Sequence, residues 1–350
     1  MATIKQVAKA AGVSVGTVSN VLSGSVPVSA ELKTRVWAVI RKLDYHPNHV
    51  ARSLKTKQTR MLGMVIPDIT NPFFPQVVRG AEEVVLEHGY LLVTFNTDDD
   101  VKREREVLAI LRSRHIDGVL LVVAPNDGDG SHITTAVSAG VRIVCLDRAP
   151  AGVTGLDSVF VDNHEGAMLA VRHLIRQGHR RIGMIAGSML LQTAVERLAG
   201  YKAALREAGL KVDQDLIRTG NFRINSGYKC AKDLLLAHRR PSAIFASNGQ
   251  MALGVLKAME EIRLHCPDDV ALVSFDDLPE SDLFRPHLTA VAQPAWEIGR
   301  QGAELLIQRV EGHLTSGTPV VVRLKPELKI RESTSKRVSD GASRRLTRAL

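Results

Sequence analysis

The first 60 residues carry ten Lys and Arg side chains against two Asp and Glu, which is +8 of the formal +9 of this 350-residue chain. Such a local surplus can neutralise phosphates, and phosphate neutralisation supplies most sequence-independent affinity for nucleic acid. By charge alone the segment is equally a solvated basic face. A second set of polar groups stands where apolar, strand-like runs end. It comprises Asp68 to Asn71 ahead of Phe73 and Phe74, then Asp147-Arg148, Glu196-Arg197, Asn221-Phe222, Ser247-Asn248, Asp276-Asp277 and Gln293. Ligands of open α/β sheets bind at those carboxyl ends.

The basic head must be built from short helices. Thr3-Ile4-Lys5-Gln6 reads as a capping box, and Ile4, Val7, Ala8 and Ala11 share one helical face. Gly12 suits a left-handed stop. Ser14 can cap a second helix bearing Val15, Val18, Val21 and Leu22 at helical spacing. A joint of about three residues forces a steep crossing, the helix-turn-helix geometry whose second helix enters the DNA major groove. A third helix, from Ser29 through Trp37 to Leu43, is expected to close the core. Pro47 stops it, and Asn48 can cap a helix of less than two turns from His49 to Leu54, too short to persist alone in water.

From Met61 onward, strand-like runs alternate with amphipathic helical ones. The strands are expected at 62–66, 91–95, 119–123, 143–146, 182–186, 243–246 and 270–275. Helices are expected at 76–87, 102–112, 167–177, 198–207, 249–260 and 298–310. This alternation implies parallel sheets, and the number of strands implies two lobes. No Gly-x-Gly-x-x-Gly follows the first strand, so a dinucleotide site lacks its phosphate loop. The residues from Arg331 are rich in Ser, Arg and Lys and read as a disordered basic tail.

The head motifs, together with Tyr45-His46-Pro47-Asn48 and Val50-Ala51-Arg52-Ser53-Leu54-Lys55, resemble the lac-repressor-type (LacI/GalR) family of bacterial transcription regulators. The resemblance runs in family order to about residue 332. It implies a helix-turn-helix head (1–47), a hinge helix and linker (48–60), a two-lobed effector-binding and dimerisation body like the periplasmic sugar-binding proteins (61–332), and a tail (333–350). The chain would cross between lobes near Asp162, Gln293 and Val322. Val15, Gly16 and Asn20 fall at base-reading positions, where Asn can bond an adenine edge. Thr17 and Ser19 suit phosphates, with Thr3, Ser14 and Asn48 beside them. Leu54 would wedge into the minor groove, and Arg52 and Lys55 would flank it. Asn71, Phe73, Phe74, Asp147, Arg148, Arg197, Phe222, Asn248, Asp276 and Gln293 would line the cleft. Asp acceptors and Arg forks suit adjacent sugar hydroxyls, and Phe rings cover an apolar sugar face. Asn71 could instead cap the helix near Phe73, and Asp147 and Arg148 could simply pair with neighbours. Asn248-Gly249 departs from the family's usual Asn-Asp, and Leu191 replaces the basic residue of purine-sensing relatives, which favours a sugar.

The expected partners are a palindromic operator, a sugar-like effector and a second copy of the chain, with no cofactor, metal or membrane. Met1 to Lys5 lacks a signal-peptide core and no apolar run reaches about 20 residues, so a cytoplasmic protein is expected. An enzyme is disfavoured because no nucleophile elbow or zinc spacing appears. His173 and His179 read as surface residues. Three well-separated cysteines read as reduced thiols. Asn20→Ala is expected to cost about 1–3 kcal/mol on the true operator and little on random DNA. Titrations of both duplexes check this, and an equal loss on both would show that Asn20 does not read sequence.

Overall fold

A computed structural model describes residues 2–23, 26–45, 58–279, 281–283, 285–315 and 317–335. The chain forms two compact units that divide between Thr59 and Arg60. The hinge helix expected over His49–Leu54, with Asn48, Arg52, Leu54 and Lys55, lies outside the described residues, as does the tail from 336.

In the head, α1 (Ile4–Ala11), α2 (Val15–Ser23) and α3 (Ala30–Lys42) surround a small core of Val7, Ala8, Ala11, Val18, Val21, Val36, Ile40 and Tyr45. The capping box is complete. The Thr3 hydroxyl accepts from the Gln6 amide, and Gln6 Oε1 accepts from the Thr3 amide at 2.8 Å. Gly12 is left-handed at φ 63° and closes α1. Ser29 caps α3, the helix expected from there, but Trp37 is 44 % exposed and Val36 and Ile40 seal the core instead.

The body holds two six-stranded sheets. The first lobe opens with β1 (Met61–Ile66), α4 (Phe73–Glu87), β2 (Leu91–Asn96), α5 (Val101–Ser113), β3 (Gly118–Leu121), α6 (Ser131–Ser138), β4 (Arg142–Leu146) and β5 (Asp157–Val161). The second contains α7 (Asn163–Arg176), β6 (Ile182–Ala186), α8 (Gln192–Glu207), β7 (Ile217–Thr219), α9 (Ile224–Leu235), β8 (Ala243–Ala246), α10 (Gly249–Glu261), β9 (Ala271–Phe275) and β10 (Thr289–Ala292). The chain then returns to lobe 1 with α11 (Ala295–Val310) and β11 (Val321–Leu324), and ends in lobe 2 with β12 (Glu327–Lys329).

The strand orders are β11-β5-β4-β3-β1-β2 and β12-β10-β9-β8-β6-β7. Every pairing is parallel except the antiparallel β10–β12. The crossings therefore fall at 162, 293–294 and 325–326, beside the expected positions. Nearly continuous apolar runs give strands buried on both faces, as in β4, β6, β8 and β9. Among the described residues no helix is long and apolar enough to cross a membrane.

Two expectations are corrected. His173 and His179 are buried, at 2 % and 8 % exposure. His173 Nε2 bonds the Thr334 hydroxyl at 2.8 Å, and burial holds its pKa below the ordinary imidazole value. Ser333 and Thr334, assigned to the tail from composition, are also buried: Ser333 Oγ donates to Leu272 O at 2.6 Å and Thr334 meets Thr289 and His173. These hydroxyl bonds dock Ser333 and Thr334 on lobe 2, a long-range event that local polarity does not reveal.

Helices α4 and α11 meet through glycine. A Cβ on Gly299 would stand 1.9 Å from Val77 O, and one on Gly80 2.0 Å from Trp296 O, so only glycine permits this approach. Gly299→Ala should destabilise the body by at least about 2 kcal/mol. A lower urea midpoint at unchanged slope is the expected result, and an unchanged midpoint would refute the close-contact account.

Candidate functional site

In the head, Ser14 Oγ accepts from the Thr17 amide at 3.0 Å and lies 2.9 Å from the Thr17 hydroxyl, which starts α2 and orients its first turn. Ser14, Val15 and Gly16 are exposed, and Thr17, Ser19 and Asn20 are half-buried. Val15, 41 % exposed, presents an apolar surface at the helix N-terminus, where a base-reading helix needs it. A Cβ on Gly16 would meet only Ser14 Oγ at 3.5 Å, so internal packing does not require glycine there. Thr3 is exposed at the start of α1.

In the body, eight of the ten expected cleft residues form one group through hydrogen bonds, ring contacts or mutual electrostatics, and Phe73 and Asn71 attach to it by way of Phe74. Asp147 and Arg148 follow β4, Arg197 stands on α8, Phe222 follows β7, Asn248 caps α10, Asp276 follows β9 and Gln293 follows β10. Phe74 starts α4. Arg148 lies over the Phe74 and Phe222 rings at 5.9 Å each, and Arg197 over Phe222 at 6.0 Å. Asn248 Oδ1 accepts from the Met251 amide at 2.9 Å, and its Nδ2 donates to Phe222 O at 3.0 Å. Gln293 Nε2 donates to Asp276 Oδ1, while Gln293 Oε1 is buried without a hydrogen-bond partner among the described residues. Phe73 reaches the group through Phe74, with ring centroids 5.1 Å apart. Asn71 performs the local role considered for it: its Oδ1 accepts from the Phe73 amide at 3.2 Å.

Asp147, Arg148, Arg197 and Asp276 are ionisable and 93–97 % buried, since 3–7 % of each is exposed. Burial pushes the Asp147 carboxyl above the ordinary range. Arg148 and Arg197 pull it down, and Asp276 pushes it up again. Burial likewise raises Asp276 against the pull of Arg197, the Gln293 hydrogen bond, the Gly249 amide and Arg148. Burial lowers Arg197, opposed by Asp276 and Asp147. Arg197 Nε donates to Asn163 Oδ1 at 2.8 Å and Nη1 to Ser247 O at 2.6 Å, and its guanidinium carbon lies 3.6 Å from the Phe275 ring centroid. Arg148 Nε lies 3.4 Å from Asp147 Oδ2, an ion pair outside hydrogen-bond geometry. The alternative that Asp147 and Arg148 pair with neighbours is thus met within the larger group: Arg148 pairs with both Asp99 and Asp147. Asp277 turns away to Lys329 and Arg331, as adjacent residues must.

Asp147, Phe222 and Asp276 have φ of 59°, 64° and 71°, a left-handed backbone that side chains rarely adopt. Such strain concentrates at ligand sites. Residue-type reasoning passed over Asn163, Asp99 and Arg223. Arg148 Nη1 donates to Asp99 Oδ1 at 2.7 Å, and Arg223 bonds Asp68 across the lobes. The acidic run Asp98-Asp99-Asp100 after the second strand was the available signal.

An exposed, capped second helix on a three-helix head, with a charged cleft between two α/β lobes, defines a DNA-binding regulator built to respond to a ligand. Residues 3–48 match the family described as bacterial regulatory proteins, lacI family, and residues 171–334 match the periplasmic binding protein-like domain. The chain is 34 % identical over 338 residues to the HTH-type transcriptional repressor PurR of Pasteurella multocida (strain Pm70), covering 97 % of this chain and 100 % of that protein. It is 38 % identical over 307 residues to the ribose operon repressor of Bacillus subtilis (strain 168), covering 88 % and 91 %. Its fold matches the lac repressor dimer bound to operator and the anti-inducer ONPF with TM-score 0.82 and 27 % identity, covering 95 % and 99 %. The protein belongs to the lacI family of bacterial transcriptional regulators.

Asn248→Ala deletes both a helix cap and the tie to Phe222. It should lower body stability by about 1–2 kcal/mol in chemical denaturation. No change would show that these two bonds are energetically idle.

Proposed function

We propose that the protein is a homodimeric transcriptional repressor that grips a palindromic operator, with its grip set by a neutral monosaccharide between the lobes, a pentose such as ribose. The buried set Asp147, Arg148, Arg197 and Asp276, faced by Phe74 and Phe222, carries the ligand reading. Two carboxylate acceptors and two guanidinium forks match neighbouring hydroxyls, and the rings offer apolar faces to the sugar ring. Gln293 Oε1 adds an acceptor. Buried Leu191, at the N-cap of α8, places no donor or charge there for a purine. The similarity to a ribose operon repressor agrees.

On DNA, Val15, Gly16 and Asn20 meet base edges while Thr3, Ser14, Thr17 and Ser19 hold phosphates. Asn48, Arg52 and Lys55 meet the operator's phosphates and minor groove, with Leu54 as the wedge. The protein regulates rather than catalyses, and works in the cytoplasm.

Calorimetry with pentoses, hexoses and purine bases tests the ligand. A pentose should bind, and Arg197→Ala should weaken it by more than about tenfold by removing charged hydrogen bonds. Binding of a purine base and of no sugar, or full pentose affinity in folded Arg197→Ala, would sink the proposal. Because burial raises Asp147 and Asp276, they take up protons at higher pH than free Asp. Pentose affinity should therefore fall on acidification before pH reaches the usual Asp value of about 3.9. Affinity that stays flat to about pH 4 would remove these carboxylates from the site.

A further inference from the structure

We infer that Arg223 is an inter-lobe latch: it closes the cleft at the edge opposite the hinge and, through Asp99, positions the ligand-reading Arg148. The three crossings lie by β5, β10, β11 and β12, on one side of each sheet. Asp68 follows β1, Asp99 follows β2 and Arg223 follows β7, on the far side. An attraction there acts on the hinge with the longest lever arm the sheets offer. Arg223 Nη1 pairs with Asp68 Oδ2, and Nη2 lies 3.5 Å from Asp99 Oδ2. The other oxygen of each carboxylate is held on lobe 1. Asp68 Oδ1 accepts from the Thr70 amide at 3.0 Å and its hydroxyl at 2.6 Å, and Asp99 Oδ1 accepts from Arg148 Nη1 at 2.7 Å. The anchors are therefore preset, and one carboxylate joins the latch to a cleft guanidinium.

The side chains of Asp68, Asp99 and Arg223 are 10 %, 19 % and 33 % exposed, so salt screens this latch less than a surface pair but still reaches it. Every bond is protein to protein, so it biases the lobe equilibrium whether or not the cleft is filled. Affinity for a ligand that binds the closed form scales with the closed fraction. That consequence for ribose rests on the pentose reading above; the closure itself does not.

The test uses the full chain with spin labels at Lys102→Cys on α5 and Lys229→Cys on α9, two exposed positions flanking the latch in sequence. Pulsed electron spin resonance then reads the lobe separation. Without sugar, Arg223→Gln should shift the distances longer, wild type in about 1 M NaCl should move the same way, and Arg223→Lys should stay near wild type. Ribose affinity should fall roughly fivefold in Arg223→Gln and in Asp99→Asn, with Arg223→Lys between. Superimposable distances for wild type and Arg223→Gln at low and high salt would overturn the latch. Failure of wild type to bind ribose would instead remove the pentose reading and leave the label distances to judge the latch alone.

Discussion

Two carboxylates and two guanidinium groups buried between the lobes must compensate one another. Asp147 and Arg148 come from lobe 1, Arg197 and Asp276 from lobe 2. An isolated buried charge is strongly unfavourable, and a buried pair that loses one partner is worse than no pair. Each lobe therefore brings one charge of each sign; burial sets the direction of each pKa shift, and the opposite charge across the cleft works against it. Opening the lobes rehydrates these groups. A ligand with several hydroxyls can replace that water bond for bond, which makes a sugar a natural occupant.

The scaffold serves this constraint. Strand ends deliver Asp147, Arg148 and Asp276, helix α8 delivers Arg197, and the backbone is left-handed at Asp147, Phe222 and Asp276. Strain of this kind persists only where surrounding structure over-determines it. Here the Asp147 amide donates to Val159 O and the Asp276 amide to Val291 O, so each turn is pinned to a neighbouring strand. Glycine contacts bring the backbones of α4 and α11 together within lobe 1. Two lobes joined by three short crossings have the architecture on which a two-state, ligand-controlled element can be built.

Much of this was legible from residue order. The head was, because caps and helical spacing are local: Thr3, Gly12, Ser14 and Ser29 each do what their chemistry suggests. The long buried strands and amphipathic helices were legible for the same reason. The expected elements omitted β5, β7, β10, β11, β12, α6 and α9. Strand β7 has three residues, too few for a period, and α9 begins Ile-Asn-Ser-Gly, which reads as a turn. The cleft set came from the resemblance rather than from periodicity, and the structure gathers most of it. Arg223 was invisible because its partners, Asp68 and Asp99, are 155 and 124 residues away. His173 and His179 misled because their burial depends on distant partners, Thr334 and Ser242.

Coupling between cleft and duplex is the central claim. Its most direct measurement is the affinity of purified protein for its symmetric operator, at fixed salt, with and without the sugar that fills the cleft. Coupling free energies of this kind change affinity roughly 5- to 150-fold, so a change of that size confined to the operator is the result this account predicts. Equal operator affinity with the cleft filled and unfilled would contradict it.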